Sequence, residues 1–145
     1  MADPRGRVLG VDLGSKRVGL ALSDASRTIA TPLEVLRRSG SEPADHAAIA
    51  RVAEEHGATQ VVVGLPLTLA GTSGSAAEAV LAEVARMRAA IPVPVDVHDE
   101  RLTTRTAEGI LRDARMIAQA RRRVVDKVAA AVMLQGWLDA AGARR

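Results

Sequence analysis

The chain reads as an α/β domain, a mixed sheet led by a hairpin and carrying helices on its faces. Three observations predict it. Short apolar runs closed by glycine or polar turns follow one another through the first 36 residues, the pattern of consecutive strands. Beyond residue 40 the spacing switches to helix, strand, helix, strand and then helix again. No run repeats, and no linker divides the 145 residues, so residues 1–145 are expected to form one domain around one core.

Each element has a local reason. Arg7 to Leu13 is a continuous apolar run, the signature of a buried strand. Gly14-Ser15-Lys16 supplies a turn, and Arg17 to Asp24 sets Val18, Leu20 and Leu22 against small residues, as a hairpin partner does. A second turn at Ala25-Ser26-Arg27 leads into a third strand over Thr28 to Leu36, where Pro32 favours an edge. Ser41 can cap a helix from about Pro43 to His56, with Ala48, Ile49 and Val52 on one face and Gly57 as the stop. Val61-Val62-Val63 centres a short buried strand over Thr59 to Gly64. Ser75-Ala76-Ala77-Glu78 has the form of a capping box and opens a helix whose Val80, Val84, Met87 and Ile91 share a face. Pro92 to Val97 is a second edge-like strand. Thr103 or Thr104 can cap a helix through Ile110 and Leu111. A last helix over about 124–141 is expected to pack Val128, Val132 and Leu138 on the sheet, with His46 and His56 left on helix surfaces.

Composition narrows the function. Apolar residues make up 48% of the chain, yet Phe and Tyr are absent and Trp137 is alone, so the core is aliphatic and no aromatic platform for base stacking exists. The absence of cysteine excludes disulfides and thiolate metal sites, and suits a cytoplasmic location. No apolar run approaches the ~20 residues that span a bilayer. The net charge is +3, carried mostly by arginine, which can grip phosphate bidentately. Neither a Walker loop nor G-x-G-x-x-G is present.

Asp12 stands inside the apolar run Val8 to Leu13, where a carboxylate is costly unless a cation or hydrogen bonds compensate it. Glu100 follows the last strand and Asp126 opens the last helix. In open α/β sheets functional groups gather at the carboxyl ends of strands. If the last helix begins beside the end of the first strand, the three acids converge. Hard oxygen donors without Cys or His point to Mg²⁺ or Mn²⁺. Two such ions ~3.5–4 Å apart would serve phosphodiester cleavage. Each acid also has a structural reading. Asp12 can bond the glycine turn, Glu100 can pair with Arg101 or Arg105, and Asp126 can sit in the first turn for the helix dipole. Lys16 and Arg17 are candidate phosphate contacts. Arg123, in the run Arg121-Arg122-Arg123 beside Asp126, is another.

Four segments in order, Gly10-Val11-Asp12-Leu13-Gly14-Ser15-Lys16-Arg17-Val18-Gly19, Val63-Gly64-Leu65-Pro66-Leu67, Asp99-Glu100-Arg101-Leu102-Thr103-Thr104 and Val125-Asp126-Lys127-Val128-Ala129-Ala130, resemble the YqgF family, also called RuvX. Its members are described as pre-16S rRNA nucleases or Holliday junction resolvase-like proteins. The resemblance implies an RNase H-like fold with a five-stranded mixed sheet flanked by helices. It implies a metal-dependent endonuclease with Asp12, Glu100 and Asp126 as catalytic and metal-binding residues, and Lys16, Arg17, Arg101 and Arg123 along the phosphate path. The expected substrate is structured RNA at the 5′ end of precursor 16S rRNA. Branched DNA is the alternative, and a monomer or a homodimer would serve. Thr68, Leu69 and Ala70 stand where the family often carries Asn and Asp, and Ala129 where RuvC-like resolvases place a further acid. Two other classes remain open: a nucleotide-dependent phosphotransferase, suggested by Asp12-Leu13-Gly14-Ser15, and a non-catalytic RNA-binding ribosome-assembly factor.

Overall fold

The computed structural model describes residues 6–65, 75–99 and 122–143, and at 75, 122–126 and 143 the backbone alone. Its elements are β1 (Arg7–Leu13), β2 (Arg17–Ser23), β3 (Ala30–Arg37), α1 (Glu42–Glu55), β4 (Ala58–Leu65), α2 (Ser75–Ala90), β5 (Val95–Asp99) and α3 (Arg122–Ala143). The strands form one five-stranded sheet in the order β3-β2-β1-β4-β5. β1 pairs antiparallel with β2, and β2 antiparallel with β3. On the other side β1 pairs parallel with β4, and β4 parallel with β5. This is the mixed sheet expected from the sequence, with β3, which contains Pro32, and β5 on its edges; β5 begins at Val95, so Pro92 and Pro94, expected within it, precede it.

β1 is central, so both of its faces are covered. Leu9 and Val11 join Val18, Leu20, Val61, Val63 and Val95 under Ile49 and Val52 of α1 and Val80, Val84 and Met87 of α2. Val8, on the opposite face, joins Ala21 and Val62 under Ala130, Ala131, Met133, Leu134 and Leu138 of α3. Burying each large aliphatic side chain in these layers contributes roughly 1.5–3 kcal/mol.

α1 starts where expected: Ser41 caps it by accepting from the Ala44 N–H at 3.3 Å. It stops before Gly57, whose φ of +69° suits glycine. Its buried face keeps the expected Ile49 and Val52, leaves Ala48 partly buried, and takes in more polar residues than expected. Asp45, His46, Ile49, Val52 and Ala53 are buried, and His46, expected on the surface, is only 2% exposed. β3 begins at Ala30 rather than Thr28 because Asp24 closes the preceding loop. Its Oδ1 accepts from Thr28 N at 2.8 Å and Ile29 N at 3.0 Å.

α3 corrects part of its expected packing, with Leu138 buried as expected. Val128 and Val132 are only partly buried, while Ala130, Ala131 and Leu134 face the sheet. Small residues on both sides let the backbones approach. A Cβ placed on Gly10 would lie 2.8 Å from Leu134 Cβ, closer than real carbon contacts allow. The expected helix after Thr103 or Thr104 lies outside the described residues. No helix among the described residues is long and apolar enough to cross a membrane.

Candidate active site

Strand alternation decides where Asp12 points. Leu9 and Val11 belong to the α1/α2 layer, and Val8 and Gly10 meet α3, so Asp12 shares the α3 face. It is half-buried near the carboxyl end of β1. Its partner on β2 is Gly19. The β1/β4 register, which pairs Val11 with Val63, continues to Gly64 beside Asp12, and Gly64 pairs with His98 on β5. Asp12 therefore stands between two glycines in the row Gly19, Asp12, Gly64 and His98. Neither of these two glycines has a side chain to set beside the Asp12 carboxylate.

Of the residues expected to join Asp12, Glu100 and Arg101 lie outside the described residues. Asp126 and Arg123 lie in the first turns of α3, where the description extends to the backbone alone. α3 spans the face that carries Asp12, with Leu134 over Gly10 and Gln135 reaching the other way to the Ala30 N–H and the Thr28 carbonyl, both at 2.9 Å. Lys16 and Arg17 are exposed on and just after the β1–β2 turn, within five residues of Asp12 in the chain.

His98 is the row's other polar member. It is 7% exposed, and among the described residues its Nε2 has no hydrogen-bond partner. A Cβ on Gly136 would lie 3.3 Å from that nitrogen, so the imidazole sits close under α3. Burial pushes His98 below its usual pKa, against a weaker upward pull from Asp99.

A second group of charges, which the sequence did not lead us to expect, lies on the α1/α2 side. Glu83 of α2 accepts both arms of the Arg38 guanidinium, at 2.7 and 2.9 Å, and its Oε2 lies 2.8 Å from His46 Nε2. Glu42 lies 3.9 Å from His46 Nε2 and pairs with Arg86, while Asp45 lies 3.8 Å from Arg38. Burial pushes the Glu83 carboxyl up, but the bonds from Arg38 and His46 outweigh it and hold it below its usual range. One signal was available. Glu83 falls three residues after Val80 and four before Met87, on the apolar stripe of α2, and His46 falls three before Ile49 on that of α1.

Glu42, His46 and Glu83 each offer a ligand atom within 4.8 Å of the others, so this acidic cluster has the spacing of a metal site. Its oxygens already have cationic partners in Arg38 and Arg86, which makes it an ion-pair network with little negative charge left for a metal. Asp12 and this network occupy opposite faces of the sheet.

Comparison with known proteins shows the family and the fold. A provisionally named pre-16S rRNA nuclease of Nocardia farcinica is 47% identical over 144 residues, covering 94% of this chain and 80% of the relative. One from Anaeromyxobacter dehalogenans is 48% identical over 134 residues, covering 92% and 96%. Among solved structures, Thermus thermophilus RuvC in complex with a Holliday junction substrate superposes with a TM-score of 0.57 at 17% identity, covering 94% of this chain and 96% of that one. Fowlpox virus resolvase with its Holliday junction superposes at 0.55 and 10% identity, covering 93% and 98%. At such identities the likeness shows the fold, which is RNase H-like. The family model for RuvX, described as Holliday junction resolvase, matches residues 6–140, and the chain belongs to that family.

Proposed function

We propose that this chain is a nuclease that hydrolyses phosphodiester bonds, acting on structured RNA at the 5′ end of precursor 16S rRNA, with a divalent ion held by Asp12, Glu100 and Asp126. One observation carries the reading: a half-buried carboxylate stands between two glycines at the carboxyl end of the central strand.

The spacing of the other two acids supports the same centre. Glu100 stands two positions beyond His98, the step that returns a strand to one face. Asp126 precedes Leu134 by eight residues, about 12 Å of helix, and Leu134 sits on Gly10, two residues before Asp12. The reading requires α3 to carry its first turns toward the carboxyl end of β1. Aspartate and glutamate oxygens suit Mg²⁺ or Mn²⁺. When bound, such an ion supplies an activated water and charge stabilisation at the phosphate. The chain's own residues do the rest. Asp12 anchors the site on the central strand, Lys16 and Arg17 seat backbone phosphates, and Arg101 and Arg123 extend that path.

Resolution of branched DNA is the second reading, favoured by the description of the family model that matches the chain. Both are tested together by incubating a precursor 16S rRNA fragment and a four-way DNA junction with Mg²⁺ or Mn²⁺. Cleavage of the RNA is expected. Asp12→Asn should lower its rate roughly a hundredfold or more, the scale of losing one charge-stabilising group at a transition state, and should leave RNA affinity in place. Junction cleavage without RNA cleavage would select the second reading. No cleavage of either by folded protein would leave a binding role in ribosome assembly.

A further inference from the structure

The turn that carries Lys16 is held from behind by Arg38. Arg38 follows β3, and its backbone N–H donates to the Lys16 carbonyl at 2.8 Å. Its Nε donates to the Gly14 carbonyl at 3.0 Å. The same guanidinium forks onto Glu83 of α2, which His46 of α1 also contacts at 2.8 Å. Within the turn the Gly14 N–H donates to the Arg17 carbonyl at 2.9 Å, and a Cβ on Gly14 would lie 2.5 Å from that oxygen. The turn is thus exposed on its outer side and bolted to both helices of the α1/α2 layer on its inner side.

We infer that Arg38, held by Glu83 and His46, is a positioning residue that fixes the β1–β2 turn so that Lys16 and Arg17 meet the substrate backbone in register with Asp12. The inference rests on the nuclease reading for its substrate, but the clamp stands on geometry alone. A flexible lysine on a free turn loses ordering entropy each time it binds a phosphate. A turn fixed beforehand does not. Only a guanidinium reaches the carboxylate with two donors and the Gly14 carbonyl with a third, so lysine is no substitute.

The test uses Arg38→Lys, which keeps the charge opposite Glu83, alongside Glu83→Gln. Amide exchange is read by NMR, and affinity is read with a structured precursor rRNA fragment in each variant and in a Lys16→Ala, Arg17→Ala background. Losing one charge-assisted bond should speed exchange of the Gly14 amide about tenfold, with the β1–β4 ladder unchanged. RNA affinity should fall several-fold in Arg38→Lys, and fall no further when Lys16 and Arg17 are already alanine. Unchanged Gly14 exchange would refute the clamp. Additive affinity losses would overturn positioning and make Arg38 a direct phosphate contact. Faster exchange with RNA affinity unaltered in every variant would keep the clamp and remove the substrate role of the turn.

Discussion

Gly10 is where β1 and α3 come closest, and replacing it with alanine tests the packing that sets α3 over the Asp12 face. The added Cβ would stand 2.8 Å from Leu134 Cβ, 3.2 Å from its Cδ2 and 3.3 Å from its Cγ. The nearest of these atoms is fixed to the helix backbone, so rotating the leucine brings no relief. Strand and helix must part by several tenths of an ångström. Overpacking of this kind costs about 1–3 kcal/mol, more than the roughly 0.4–1 kcal/mol that alanine gains over glycine in chain entropy. Urea denaturation of Gly10→Ala should therefore show a lower midpoint with an unchanged slope, and thermal unfolding a fall of roughly 3–9 °C. Gly142→Ala is the control. Among the described residues no atom beyond the adjoining helix backbone lies within 4 Å of its added Cβ, and Gly142 is exposed. It should be neutral or slightly stabilising. A Gly10→Ala protein as stable as the parent would refute the close approach of α3 to β1.

The opposite end of the sheet depends on Arg27, a buried residue at φ +59°. It donates to the Gly6 carbonyl at 2.9 Å, Gln60 Oε1 at 3.0 Å and Thr59 Oγ1 at 3.1 Å. Arg27→Ala leaves those acceptors without this donor in a buried setting and should cost about 2–4 kcal/mol by chemical denaturation. In acid, the carboxyl of Glu83 is held below its ordinary 4.5, so the folded state binds its proton less readily than the unfolded chain does. Its contribution is complete above pH 4.5 and is lost as the pH falls through the lower folded value. Glu83→Gln should be less stable near neutrality and show a shallower loss of stability below pH 4.5, read from urea midpoints across the acid range.

Much of this architecture was legible because its signals are local. Gly14 and the alternation of Val18, Leu20 and Leu22 marked the hairpin, Pro32 marked an edge, and Ser41 and Gly57 bracketed α1. The face on which Asp12 lies was not legible. β1 is buried on both sides, so its sequence carries no alternation, and only the packing of Leu9 and Val11 under α1 and α2, and of Val8 and Gly10 under α3, tells the two layers apart. The same close approach hid the packing of α3. Bulk pointed to Val128 and Val132, whereas the sheet selected the smaller Ala130 and Ala131, which let the helix settle onto glycine. His46 looked like a surface residue because it is polar, and Glu83 drew no reading at all. They are buried because each meets the other and Glu83 also meets Arg38, from elements distant in sequence, a pairing that no local pattern contains. Asp12, by contrast, stood out at once, since a carboxylate amid aliphatic residues is costly unless something compensates its charge.

Crystals grown with Mn²⁺ and measured at an anomalous-scattering wavelength would locate the divalent ion directly. The expected result is a peak about 2 Å from a carboxylate oxygen of Asp12, shared with Glu100 and Asp126 and lost in Asp12→Asn. A peak confined to Glu42, His46 and Glu83, or none within reach of Asp12, would contradict the placement of catalysis on the α3 face of the sheet.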